Sequence, residues 1–345
     1  MRRPKPKAGA TEAICFLIPA RNEVHNLDRV VRPLRAQGAE VIVFDDDSSD
    51  GTAEIAAAAG ANVVQNRTPL EAGWSGKNRA CHQLALAASE SSSADWWCFL
   101  DADVEPGPEF VGSLQALVAE RGQKVPIFTG FPTILPGRGI EPLFLAWVGW
   151  SLLAENPFGL VARTGKGHNM FTNGQLTLYR ADVYREHWPN EAMKGRILED
   201  VAIGRYFGKK KVPIEVVNLT HAIKVRMYDH WRETLDGMSK NSYEIAGSAV
   251  GSVLLAGWFA VLALAWVAGF FLSASLGWLP LLLFTLSGLF VALAARTPLW
   301  PMLFMPVNLL IASVTIIRSL MWRKQGKTTW KGRVYSNLPS DPEKP

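Results

Sequence analysis

"VIVFDDDSSDGT" (41–52) drives four apolar residues straight into three aspartates and then into the start of a helix. β-Branched and aromatic residues in a short unbroken run read as a buried strand. The Ser-Ser-Asp-Gly-Thr that follows reads as a turn, with Asp50 as a cap for a helix closing on Gly60. Asp45 and Asp46 therefore stand at the carboxyl end of a strand. Carboxylates there can accept hydrogen bonds from a nucleobase N–H or a ribose hydroxyl, whereas Asp47 and Asp50 read as turn and cap residues. The same strand-then-helix alternation recurs on either side. Further strand-like runs cover 13–19, 61–65, 96–101 and 125–132. Between them, 23–37 carries Leu27, Val30, Val31 and Leu34 on one helical face. Alternation of this kind predicts an α/β domain over 13–244, with a mainly parallel sheet and helices on both faces. Ligands of such sheets lie beyond the carboxyl ends of the strands.

"FLDADVEP" (99–106) ends another buried strand on two like charges. In extended chain, Asp101 and Asp103 point to one side. Two carboxylates held together repel unless a cation lies between them or protons shift. Oxygen ligands of this kind suit Mg²⁺ or Mn²⁺ bridging to substrate phosphates. In "EAGWSGKNRA" (71–80), Gly73 and Gly76 permit close backbone approach and Lys77 can reach a phosphate. The spacing is not that of a Walker A loop, and Asn78 follows the lysine where Ser or Thr is needed. In "GRILEDVAIGRYF" (195–207), Glu199 and Asp200 open a helix. Acids in a first turn complement the helix dipole; Asp200 can also serve as a general base toward an acceptor hydroxyl.

The composition changes after residue 248. Residues 249–272, 276–295 and 298–317 are free of charge, and the first is long enough to span a bilayer. The third is interrupted by Pro301 and Pro306, which marks it as re-entrant, with freed carbonyls sheltered inside protein. A shorter stretch, 141–158, carries Trp147, Trp150 and acidic ends and reads as a helix lying in the membrane interface. The chain of 345 residues has a formal net charge of +5, concentrated at its ends. Residues 1–12 read as a basic disordered tail, without the apolar core of a signal peptide. Arg318, Arg323, Lys324, Lys327, Lys331 and Arg333 make 318–345 a basic tail, placed in the cytosol by the positive-inside rule. Because these basic ends flank apolar segments, they point to an anionic membrane surface and not to nucleic acid. Three scattered cysteines form no CxxC pair, which fits a reducing compartment.

Taken together, "LIPARNE" (17–23), "VFDDDSSDGT" (43–52), "DADV" (101–104) and "LED" (198–200) resemble the inverting family-two glycosyltransferases of GT-A fold. The resemblance implies that Pro19, Arg21, Glu23, Asp45, Asp46 and Lys77 line the nucleotide. It also implies that Asp103 and Asp101 hold Mg²⁺ or Mn²⁺, and that Asp200, beside Glu199, is the base. Asp101 then borders nucleotide sugar and metal alike, and His221 is a candidate third ligand. Trp74 and Trp231 are candidates for stacking on sugar or lipid. "GWSGKNRACHQ" (73–83), "RMYDHWRETLDGMSKN" (226–241) and "WKGRVYSN" (330–337) are similar to membrane glycosyltransferases of carotenoid and hopanoid pathways, the 4,4'-diaponeurosporenoate glycosyltransferase group among them. That implies a UDP-sugar donor, glucose first, a lipid acceptor, and a multi-pass protein of the cytoplasmic membrane with its catalytic domain in the cytosol. Processive relatives carry Gln-x-x-Arg-Trp after the base; "HWRETL" does not, so one sugar per acceptor is expected. A sugar-nucleotide nucleotidyltransferase would need a Gly-rich triphosphate loop after the first strand, which "PARNEVHN" lacks. An inactive membrane scaffold would have no need of four intact motifs.

Overall fold

The computed structural model describes residues 1–7, 9–155, 170–326, 329–330 and 333–334. Residues 156–158 of the expected interfacial helix, and Lys327, Lys331 and 335–345 of the tail, lie outside them. The chain forms two compact units, Met1–Thr133 with Phe158–Val225 and Ile134–Pro157 with Arg226–Pro345. The change of composition near residue 245 is thus not where the packing changes.

The first unit is built on β1 (Ile14–Ala20), β2 (Glu40–Asp46), β3 (Asn62–Asn66), β4 (Trp96–Leu100), β5 (Val104–Pro106), β6 (Ile127–Phe131), β7 (Thr133–Ile134), β8 (Leu176–Arg180), β9 (Ile214–Asn218) and β10 (Ile223–Val225). Seven of these form one sheet in the order β3-β2-β1-β4-β8-β6-β9. All its neighbours are parallel except β8, which runs antiparallel between β4 and β6. Continuous apolar strands such as "ICFLIPA" follow from cover on both faces. Helix α1 (Leu27–Ala36) buries the expected Leu27, Val30, Val31 and Leu34 completely. The other helices of this unit are α2 (Thr52–Ala58), α3 (Gly76–Ser91), α4 (Phe110–Arg121), α6 (Ala181–His187), α7 (Pro189–Ala192) and α8 (Glu199–Lys209). Because β8 is reversed, its amino end meets the carboxyl ends of β1, β2 and β4. One edge of the sheet therefore gathers Pro19, Asp45, Asp101 and Gly174.

The first residues are not disordered as expected. The Arg2 carbonyl accepts from the Asn218 N–H at 2.7 Å, Arg2 bridges Val217, and Pro4 is buried. The exposed backbone of edge strand β9 supplies the reason, since an unpaired edge recruits extended chain.

The second unit contains α5 (Glu141–Glu155), α9 (Trp231–Ala246), α10 (Ala249–Leu272), α11 (Ala274–Ala295), a 3₁₀ turn (Trp300–Phe304) and α12 (Met305–Lys324). Three stretches, Ala249–Leu272, Leu276–Ala295 and Trp300–Lys324, are long and apolar enough to cross a membrane. Gly269 abuts the Leu276 carbonyl, and Phe270 lies 5.3 Å from Trp278, so α10 and α11 turn back on each other at Ser273. In α5, the expected interfacial helix, Glu141 and Trp147 are buried and Trp150 is half-buried. Glu141 accepts from Thr234 Oγ1 at 3.0 Å and from the Gly137 N–H at 2.8 Å. Trp147 is buried beside Phe259, and Trp150 Nε1 donates to Ser287 Oγ. A helix apolar all round packs among other apolar helices. The prolines do not break α12. Pro301 lies in the 3₁₀ turn and Pro306 in the first turn of α12, where a missing N–H costs nothing.

Candidate active site

The site lies at the carboxyl edge of the first unit's sheet. Lys77, in the first turn of α3, extends its amine to 2.6 Å from Asp101 Oδ1 and 3.7 Å from Glu199 Oε1. Asp200 follows Glu199 in the first turn of α8. Its Oδ2 accepts from the Gly174 N–H and its Oδ1 from the Val201 N–H, each at 2.8 Å. A Cβ at Gly174 would lie 3.0 Å from both Asp200 Oδ2 and Lys77 Nζ, so any larger residue there would press on these two side chains. A cavity of about 30 Å³, room for a water molecule, lies among Pro19, Lys77, Asp101, Gly174, Glu199 and Asp200.

Three carboxylates and one ammonium at close quarters set the electrostatics. Burial raises Glu199 to about 7, against the pull of Lys77 and with a further push from Asp200. Burial also raises Asp200, opposed by Lys77 and by the two backbone N–H groups. Burial acts to lower Lys77, but Asp101 and Glu199 outweigh it and hold the amine well above its ordinary value. Asp103, across a tight turn from Asp101, is raised to about 7, first by burial and then by the Asp101 charge. Asp103 Oδ1 is buried and accepts no hydrogen bond. A carboxylate oxygen buried without a donor is a place for a cation, so the donor set of Asp101 and Asp103 fits a hard divalent ion.

Not every expected site residue meets at this edge. His221 does not join the aspartates: its ring Nε2 lies 2.6 Å from the Pro4 carbonyl. Among the described residues no group of three His, Cys, Asp or Glu is placed to hold a metal ion, so the expected three-ligand set with His221 is not formed. Asp46 is also corrected. Its carboxylate, 2% exposed, is paired at 2.5 Å with Arg79 Nη2, itself 1% exposed. A carboxylate locked in a buried ion pair is not presented to a nucleotide. Asp45 is held differently, accepting from the Ser48 N–H at 3.3 Å. Arg21 donates to the Asp46 and Asp47 carbonyls and so braces the turn after β2, and Glu23 accepts from Asn26 Nδ2 at 2.7 Å within the turn between β1 and α1. Asp50 accepts from the Thr52 N–H at 3.2 Å and from the Val24 N–H at 3.2 Å, but it is not the cap expected: the N-cap of α2 is Gly51, one residue on. Trp74 is buried and stacked on His82, and Trp231 lies against Phe144 in the second unit; both serve packing. Sequence reasoning missed Gly174, Arg79 and the whole of β8. The signal for β8 was the alternating "LTLYR", too short to separate from its surroundings.

A nucleotide-lining loop, a paired Asp-x-Asp and a carboxylate at a helix start, on a mainly parallel sheet, are the parts of a nucleotide-sugar transferase of GT-A type. The family model of glycosyl transferase family 2 matches residues 15–188, and the chain belongs to that family. It is a glycosyltransferase whose α/β domain is followed by three long apolar helices. The chain is 29% identical over 359 residues to the 4,4'-diaponeurosporenoate glycosyltransferase of Staphylococcus haemolyticus (strain JCSC1435), covering 96% of this chain and 91% of that protein. It is 25% identical over 252 residues to the enzyme of the same name from Staphylococcus aureus (strain USA300), covering 71% of this chain and 64% of that protein. Among solved structures, glucosyl-3-phosphoglycerate synthase of Mycobacterium tuberculosis aligns at TM-score 0.44 and 22% identity, over 66% of this chain and 78% of that one. The same enzyme in complex with Mn²⁺, uridine diphosphate and glucosyl-3-phosphoglycerate aligns at TM-score 0.42 and 21% identity, over 64% and 73%.

Proposed function

We propose that the enzyme moves one glucose from UDP-glucose to a hydroxyl of a membrane lipid, with inversion at the anomeric carbon, at the cytosolic face of the cell membrane. The observation that carries this reading is the placement of Lys77 against Asp101 and Glu199, with Asp200 oriented beside them by two backbone N–H groups. Asp101 and Asp103 would hold Mg²⁺ or Mn²⁺, which when bound supplies positive charge against the departing diphosphate. Lys77 adds a fixed positive charge on the same side. Pro19, Arg21, Glu23 and Asp45 border the nucleoside. Asp200 takes the proton of the acceptor hydroxyl as that oxygen attacks the face opposite the diphosphate. Glu199 holds Lys77 in place.

The staphylococcal relatives are named for a carboxylate lipid, diaponeurosporenoate. A carboxylate, ordinarily ionised at neutral pH, needs no base. A hydroxyl does, and a placed base contributes roughly 10²–10⁴-fold. A buried carboxylate, raised by its burial and held by two backbone N–H groups at the start of α8, therefore favours a hydroxylated carotenoid, another terpenoid alcohol or a diacylglycerol-like lipid. The test is to incubate membranes containing the protein with labelled UDP-sugars and identify the labelled lipid by mass spectrometry. Label from UDP-glucose, in a lipid that keeps its sugar in mild alkali, is the expected result. No lipid labelled by any UDP-sugar would overturn the reading; release by alkali would overturn the hydroxyl.

A further inference from the structure

Three consecutive side chains at the start of α3 go three ways. Lys77 enters the cavity, while Asn78 and Arg79 are buried, 0% and 1% exposed. Arg79 ties α3 to the end of β2 through Asp46, and to the preceding loop through the Pro69 carbonyl at 2.9 Å. Asn78 ties it to the other side. Its Nδ2 donates to the carbonyls of Asn190 (2.8 Å) and Met193 (2.9 Å), and Asn190 Nδ2 donates back to Asn78 Oδ1 at 2.7 Å. The Tyr184 hydroxyl donates to Asn190 Oδ1, so the oxygen of each amide has a donor. Asn190 belongs to α7, and the chain runs from Met193 through Gly195 directly into Glu199 and Asp200.

We propose that Asn78 and Asn190 are positioning residues, a buried amide clamp that fixes the distance from Lys77 to the acids of α8. The proposal rests on Lys77 acting on the donor side and Asp200 on the acceptor side. Adhesion alone would not need this pair, because replacing both partners of a buried hydrogen bond by apolar groups of the same shape can be nearly neutral. What reciprocal hydrogen bonds add is register, since they hold only over a narrow range of distance and direction. Register matters here because a displacement of about 1 Å can cost roughly 10²-fold in rate.

The experiment compares three variants of the full-length protein in lipid or detergent. Asn78→Leu removes the clamp at nearly constant volume. Tyr184→Phe removes only the hydroxyl that orients Asn190, and keeps the test open if Asn78→Leu does not fold. Leu84→Ala, in the buried face of the same helix, destabilises α3 without touching the clamp. Thermal unfolding is measured for each, and kinetics are run equally far below each midpoint. The expected result is a fall in kcat of about tenfold or more for Asn78→Leu and a smaller fall for Tyr184→Phe. KM for the nucleotide sugar should stay within about threefold, and Leu84→Ala should keep its kcat. Normal kcat in both clamp variants, or an equal loss in Leu84→Ala, would overturn the clamp. Inactivity of the unaltered enzyme toward every UDP-sugar would instead overturn the donor assignment, and the same comparison then runs with the nucleotide sugar it does use.

Discussion

Asp45 and Asp46 are neighbours in the chain with opposite fates. Asp46 is sealed into an ion pair with Arg79, 33 residues away, whereas Asp45 stays beside the site. Removing one partner of a buried pair strands the other charge, so Asp46→Ala should cost about 3–5 kcal/mol of stability. Asp45→Ala should instead weaken UDP binding with little change in unfolding temperature. Calorimetric titration with UDP beside thermal unfolding separates the two; a stable Asp46→Ala that binds UDP poorly would reverse the assignment. Asp200→Asn should lower transfer by at least 10²-fold, with UDP affinity nearly unchanged, if the carboxylate is the base; normal transfer by that variant would leave Asp200 as a dipole partner of its helix only. Asp103→Ala should abolish transfer, and full turnover in EDTA would sink the metal assignment. At this scale the sequence made the acids legible but not their partners. Asp45 and Asp46 look alike in "VFDDDSS", and only folding brings Arg79 to one of them.

At the scale of elements, α8 opens with a carboxyl that folding disfavours in its charged form. Glu199 sits at about 7 in the folded chain, above its ordinary 4.5. Below pH 4.5 the group is protonated in both states and its stabilising contribution is complete. As pH climbs through 4.5 the unfolded chain begins to ionise and gains on the folded one. The contribution is lost by about pH 7, where the folded chain ionises too. Glu199→Gln should therefore unfold at a higher temperature than the unaltered protein at pH 8 and match it near pH 4.5. A difference independent of pH would show that Glu199 acts through packing alone. Among the parallel strands, β1, β2, β3, β4 and β6 were legible because each is a short run of apolar or β-branched residues followed by turn residues, whereas β9, parallel to β6 at the sheet edge, was missed. Nor was β8 legible, because no local pattern tells a strand its direction. Only its pairing with β4 and β6 brings Gly174 to the acids of α8.

At the scale of the whole chain, the sequence shows where apolar segments lie, but which side each ends on depends on packing within the second unit. Met302 and Met305 press their sulfurs against Gly288, seven residues before the end of α11. At 1.5 Å per residue that is roughly 10 Å below the end of the hairpin. From there α12 runs toward α9: Arg318 pairs with Asp236 at 2.6 Å, and Ser319 Oγ accepts from the Tyr243 N–H at 2.8 Å. α9 leads directly into α10, so the end of α12 lies on the side from which α10 starts. Asn308, fully buried, donates to the Pro301 carbonyl at 2.8 Å, the internal satisfaction that a re-entrant turn requires in hydrocarbon. A helix of 20 residues, roughly 30 Å long, that begins about 10 Å deep carries its last turns out of the membrane. Arg318, Arg323 and Lys324 occupy those turns. The proposal is therefore two full crossings and one re-entrant helix, with both ends in the cytosol as the basic residues favour. The native Cys15, Cys81 and Cys98 are buried, so single added cysteines can be read against a low background. In intact cells a membrane-impermeant maleimide should label Ser273→Cys, at the turn of the α10–α11 hairpin, and label Gln325→Cys only after permeabilisation. Labelling of Gln325→Cys from outside would mean three full crossings, and would place the basic tail across the membrane from α9.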